Sequence, residues 1–153
     1  MKRNRQLTTP VLILFAIFLV SMAISARADS RCSLASLNST YAFQGEGTIV
    51  AQLDSLPPPP AAFGQVGTIT FNGAGTFFGS STQNFGGAVA NATFTGTYTI
   101  NSDCTGTLTA NTSLGLIAHD ATVLIDGGQR FIDTETDTFA VVNRRGEKLV
   151  QGD

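Results

Sequence analysis

His119 is the only histidine in this 153-residue chain. An imidazole titrates near neutral pH and can move a proton or orient a ligand. In residues 114–126 it alternates in phase with Ile117, Ala121, Val123 and Ile125, with Asp120 on the opposite face. That pattern places His119 on an apolar face, where it lines an interior. Tyr98 offers a second polar tip, set among Ala88, Ala90, Ala92, Phe94 and Ile100. Tyr98 and His119 are therefore the candidate ligand-binding residues. Asp126, Asp133, Glu135 and Asp137 form an acidic set, and Asp133 and Glu135 share a face with Phe131. Paired carboxylates can serve acid–base chemistry or hold Ca²⁺. In an acidic chain the expectation is solvated strand charges. Arg130, Arg144, Arg145 and Lys148 likewise read as a solvated strand end and turn.

No other constellation has specific spacing. The chain lacks G-x-S-x-G, a glycine-rich phosphate loop and paired histidine ligands. One histidine and two distant cysteines do not make a zinc site. No catalytic residue, metal site or cofactor is expected, and an enzymatic role is disfavoured.

Cys32 and Cys104 are the two cysteines. Their meaning depends on compartment, which the N-terminus addresses. Lys2, Arg3 and Arg5 precede an apolar run at residues 11–20, and Ala26-Arg27-Ala28 supplies small residues at a cleavage site. This is the pattern of a secretory signal peptide over residues 1–28. The apolar run is shorter than the ~20 residues of a spanning helix, so no membrane anchor is expected after cleavage. The destination is periplasmic or extracellular. There an even pair of cysteines defaults to a disulfide, here Cys32–Cys104.

Residues 29–153 then form a single domain, long enough for one core. They hold all eleven acidic residues but only five basic ones. That balance argues against nucleic acid, which needs clustered Lys and Arg.

The elements that must position these residues are strands. Residues 88–100 put Ala, Phe, Gly, Tyr and Ile on one face and Thr on most of the other. Side chains alternate along a strand, so one face is buried and one is wet. Residues 40–53, 62–71, 75–85, 104–110, 114–126, 130–136 and 138–143 repeat the pattern, with a short last strand after Gly146. Asn72-Gly73-Ala74-Gly75, Gly86-Gly87, Asn101-Ser102-Asp103 and Asp126-Gly127-Gly128 make short joints. The chain is thus all-β, an antiparallel up-and-down meander of about eight strands following a signal-peptide helix. Closure into a barrel hides the edges; a β-sandwich is the alternative. The stiff run Asp54-Ser55-Leu56-Pro57-Pro58-Pro59-Pro60 is expected to cap one barrel mouth.

Leu37-Asn38-Ser39-Thr40-Tyr41-Ala42-Phe43, Gly67-Thr68-Ile69-Thr70-Phe71-Asn72-Gly73-Ala74-Gly75 and the run from Gly96-Thr97-Tyr98 to Gly106-Thr107-Leu108 carry a resemblance, as does Asp126-Gly127-Gly128 before Arg130-Phe131-Ile132. The chain resembles small exported bacterial proteins of unknown function with a calycin-like barrel, similar in outline to lipocalins and allene oxide cyclase. The resemblance implies the closed barrel and carries no active-site residue with it. The expected role is to bind a small apolar or amphipathic ligand inside the barrel, in space left by Gly45, Gly47, Ala88, Ala90, Ala92 and Gly96. A structural or surface-interaction protein is the alternative, and a cyclase- or isomerase-like enzyme the second alternative.

Overall fold

The structure is a computed structural model and describes residues 31–52 and 57–150. The leader read at residues 1–28 lies outside the described residues, as does Leu53. Eight strands follow in order: β1 (Asn38–Ile49), β2 (Ala61–Asn72), β3 (Thr76–Phe85), β4 (Ala88–Ile100), β5 (Thr105–Thr112), β6 (Ile117–Ile125), β7 (Arg130–Glu135) and β8 (Ala140–Lys148). Each pairs antiparallel with the next, and β8 returns to β1, so the sheet is a closed barrel and not a sandwich. Among the described residues no helix is long and apolar enough to cross a membrane.

Alternation builds the core directly. Tyr41, Phe43, Ile69, Phe71, Phe77, Tyr98, Leu108, Leu124 and Phe131 point inward near one end. Their rings meet edge to face, Tyr41 with Phe71 at 5.6 Å and Phe71 with Tyr98 at 5.1 Å between centroids. This geometry sets ring edges against ring faces. A second cluster at the other end joins Ile49, Ala61, Phe63, Phe85, Ala140 and Val142. Thr93, Thr95, Thr97 and Thr99 face solvent on β4, as their alternation requires.

The first end is sealed by the chain before β1. A 3-10 turn at Leu34–Ser36 follows Cys32, which is disulfide-bonded to Cys104 in the β4–β5 connection. Tyr98 Oη donates to the carbonyls of Leu34 (2.9 Å) and Leu37 (3.0 Å). Tyr41 Oη donates to the Gly128 carbonyl at 2.5 Å. Burial pushes both phenols above their ordinary pKa. At the opposite end, Pro57 lies beside the β3–β4 turn, where a methyl built on Gly86 would lie 3.9 Å from Pro57 Cβ.

Three expectations are corrected. The inner face of β6 carries Ala118, Asp120, Thr122 and Leu124, not the His119 face: Ile117 and Val123 are exposed. Leu124 is the cross-strand partner of inward Phe131, which fixes the parity of β6. β8 runs unbroken through Gly146, whose missing side chain makes room for the Phe131 ring. The inward glycines do not leave open space. A methyl on Gly96 would meet Thr109 O at 2.1 Å and Phe77 Cζ at 2.4 Å. A neighbouring ring already fills that place.

Candidate functional site: a charged layer inside the barrel

Between the two apolar clusters lies a polar layer. Cross-strand register links its members in one circuit: Gln83 faces Gln65, Gln65 faces Gly45, Gly45 faces Arg144, Arg144 faces Asp133, and Asp133 faces Thr122. Asp120 and Glu135 are a second facing pair across β6 and β7. Gly45 is necessary here. A methyl on it would fall 2.8 Å from Arg144 Cγ and 2.9 Å from Gln65 Nε2. Only a residue without Cβ lets the arginine stem cross the barrel at this height.

The Arg144 guanidinium gathers three carboxylates. Nη1 donates to Asp120 Oδ1 and to Asp133 Oδ1 (3.3 Å), and Nη2 donates to Glu135 Oε2 (2.8 Å). The side chains are 15% exposed for Arg144, 7% for Asp120, 3% for Asp133 and 2% for Glu135. These are buried charges, not the solvated strand charges that sequence reasoning expected. Burial pushes the Asp133 carboxyl up to about 7, against the opposing pull of Arg144 and with repulsion from Asp120 added. Burial, then Asp120, likewise pushes Glu135 up to about 7. Burial also raises Asp120, with Arg144 opposing. Burial alone would lower Arg144, but the three carboxylates outweigh it and hold the guanidinium firmly charged. Three acids around one permanent cation leave the layer short of positive charge.

Two buried atoms here have no partner among the described residues: Gln65 Nε2 and Glu135 Oε1. Gln83 Nε2 donates to Ser81 Oγ at 3.0 Å and lies 3.5 Å from Gln65 Oε1, leaving the Gln65 amide nitrogen unused. A cavity of about 70 Å³ adjoins this layer. Its walls include Gln65, Asp120, Asp133 and Arg144 together with Phe43, Phe94 and Leu108. Ala90, Phe94, Ala110, Thr112 and Ala118 face inward yet stay partly exposed. Small side chains on β4, β5 and β6 thus leave a rim open, while Phe63, Phe85 and Phe139 cover the other part of that end.

The two sequence candidates are not brought together. Tyr98 is inward but spends its hydroxyl on the Leu34 and Leu37 carbonyls, deep in the first cluster. His119 points outward, with its side chain 52% exposed. Its Nδ1 lies 3.0 Å from Asp137 Oδ1, and its backbone N–H donates to Asp137 Oδ2 at 2.8 Å. Partial desolvation opposes ionisation of Asp137, but the His119 N–H and ring, with Glu135, hold its carboxyl below the usual range. Arg144 and Asp120 were missed. The signal for Asp120 was present: residues 126–129 connect Ile125 to Arg130, so inward Phe131 forces Leu124, and hence Asp120, inward.

Among the described residues no set of His, Cys, Asp and Glu is arranged to hold a metal ion; the guanidinium occupies the centre of the acidic group. The chain matches no protein-family model and no curated protein. What it shares with calycin-like proteins is the architecture itself: eight antiparallel strands in sequence order, closed on one another.

Proposed function

We propose that this is an exported, non-enzymatic binding barrel that admits a small amphipathic ligand, or the polar end of a larger one, through the rim between β4 and β7. The supporting observation is the cavity in which ring walls meet the Arg144 layer and Gln65 Nε2 waits for an acceptor. A buried polar atom without a partner costs about 1–3 kcal/mol, and a bound ligand or water relieves it. The volume narrows the earlier expectation. A wholly apolar guest of drug size needs roughly 300–1,000 Å³, while about 70 Å³ holds a small polar head. The Cys32–Cys104 disulfide suits the oxidising compartments outside the cytosol.

A surface-interaction protein is the second reading, favoured by how fully rings fill the core. Native mass spectrometry of the protein purified from its own host separates the two. The binding reading expects a reproducible extra mass that disappears on denaturation. A bare chain that self-associates overturns it in favour of the second.

A further inference from the structure

We propose that the free edge of β4 at residues 88–92 pairs with the same edge of a second copy of this chain, the two strands antiparallel about a two-fold axis. This goes beyond the interior-binding reading and does not depend on it.

Strand lengths come first. β4 pairs with β3 from Ala88, opposite Phe85, onward. Its ladder with β5 begins only at Phe94, opposite Thr112. One contact extends it: the Thr93 N–H donates to Ser113 Oγ at 3.1 Å, and the Ser113 N–H donates to the Thr93 carbonyl at 2.8 Å. There the chain turns toward β6, the Gly115 N–H donating to the Thr112 carbonyl at 3.1 Å. Among the described residues no strand pairs with residues 88–92 on that side.

Parity comes second. Thr93 directs its backbone groups toward β5, whereas the Tyr98 N–H donates to the Gly75 carbonyl on the β3 side, at 2.9 Å. Backbone groups alternate between the two neighbours of a strand. Val89 and Asn91, in step with Thr93, therefore aim two N–H and two C=O groups at the open edge. Elsewhere the fold caps such groups. β6 also outlasts β7, whose ladder with it begins at Asp120 and Glu135. There the His119 N–H donates to Asp137 Oδ2, and the His119 carbonyl accepts from the Thr136 N–H (2.8 Å) and Oγ1 (2.9 Å). At Asn91 the side chain is spent on Thr82 Oγ1, which donates to its Oδ1 at 2.9 Å, and the edge is left to another strand.

The occupant follows from the chemistry of the edge. Rows of N–H and C=O take an extended strand. Ala88-Val89-Ala90-Asn91-Ala92 has no charge, lysine or proline, the usual guards of an exposed edge. A charged peptide finds no complement here, but a second copy does. With Val89 opposite Val89, the pair exchanges two backbone hydrogen bonds. Two side chains, each 66% exposed, then lie side by side. Ala88 faces Ala90 on the other side of the strands, and Asn91 comes opposite the bare hairpin tip at Gly87, where a methyl would meet nothing within 4 Å. No like charges meet across the axis. The contact uses the same patch twice, so assembly stops at two copies.

Such short edges bury less than the ~1,200 Å² of a standard interface, so we expect a reversible dimer with a Kd of about 0.1 mM. The test is sedimentation equilibrium and amide hydrogen exchange of the oxidised protein from about 10 µM to about 1 mM. At the highest concentration the Val89 and Asn91 amides are expected to exchange about fivefold more slowly than at the lowest, while Ala90 and Ala92, bonded toward β3, do not change. Val89→Lys sets two like charges across the axis, and Asn91→Pro removes an edge N–H that the barrel does not use. Each is expected to raise the Kd at least about tenfold with the urea midpoint unchanged; if Asn91→Pro lowers the midpoint, Val89→Lys carries the test. A chain still monomeric at about 1 mM overturns the proposal and leaves the edge to a strand of another protein. A dimer whose Val89 and Asn91 amides stay unprotected, or one that Val89→Lys does not weaken, overturns it by placing the contact elsewhere.

Discussion

Arg144 balances more buried charge than any other described residue. Replacing it with leucine leaves three carboxylates in a space they cannot leave. Breaking a buried ion pair by removing one partner costs about 3–5 kcal/mol, and Arg144→Leu is expected to fall in that range at pH 8. The loss shrinks at pH 5, where Asp133 and Glu135 are protonated and no longer need a counter-ion. Urea unfolding of the wild type and variant at both pH values checks the size and the pH trend together. Single-residue polarity could not reveal this group. Arg144 sits beside Arg145 in a basic run, and the two differ only in which way the strand points them. Asp133 and Glu135 were recognised as sharing the Phe131 face, but a carboxylate faces inward only if a counter-charge arrives from another strand. Asp120 and Arg144 are 24 residues apart in sequence, and periodicity carries no record of such a partner.

At the level of elements, the strands with one-sided alternation were legible. β4 and β5 divide cleanly into apolar and threonine faces, and the two cysteines are paired as expected. β6 was not legible by hydrophobicity, because Ile117 and Val123 lie on its wet face and Asp120 and Thr122 on its dry one. The turn-derived register with β7 is a better guide there than apolar content. The disulfide, spanning 72 residues, and the Tyr98 hydroxyl together pin the segment before β1. A cross-link of that span stabilises by about 4 kcal/mol in the chain-entropy model. Cys32→Ser is expected to lose a comparable amount in urea unfolding. Hydrogen exchange should speed up at the Ser36 and Leu37 amides, which now donate to Ser33 and Leu34.

For the whole molecule, closure was readable because eight short alternating runs with tight joints leave few other ways to hide sheet edges. What the barrel encloses was not readable, since glycine positions look like empty space until the rings of other strands are placed. The enclosed acids also set how the fold responds to pH. Asp133 and Glu135 are raised from 3.8 and 4.5 to about 7. The folded state thus binds more protons than the unfolded chain between roughly pH 4 and 7. Their contribution to stability is greatest at the acid end of that window, falls as pH rises through it, and levels off above. Asp137, held below its usual range, acts in the opposite sense only under stronger acid. The urea midpoint is expected to be higher at pH 5 than at pH 8; a midpoint that climbs over this interval would show that the two acids ionise freely in the fold.

Among the described strands, β1 and β8 are the one bonded pair that is not adjacent in sequence, and Gly45 faces Arg144 across that seam. Every other pairing is a hairpin that a short stretch of chain can zip by itself. Joining the seam means closing a loop of about 100 residues, the costliest entropic step in the topology. The carboxylates of β6 and β7 lie within 24 residues of Arg144 along the chain, a far shorter loop than the seam's. Its stem, however, finds its resting place only when β1 arrives with a gap where a side chain would be. The pair that gives the interior its charge is thus also the rivet at which the cylinder is completed.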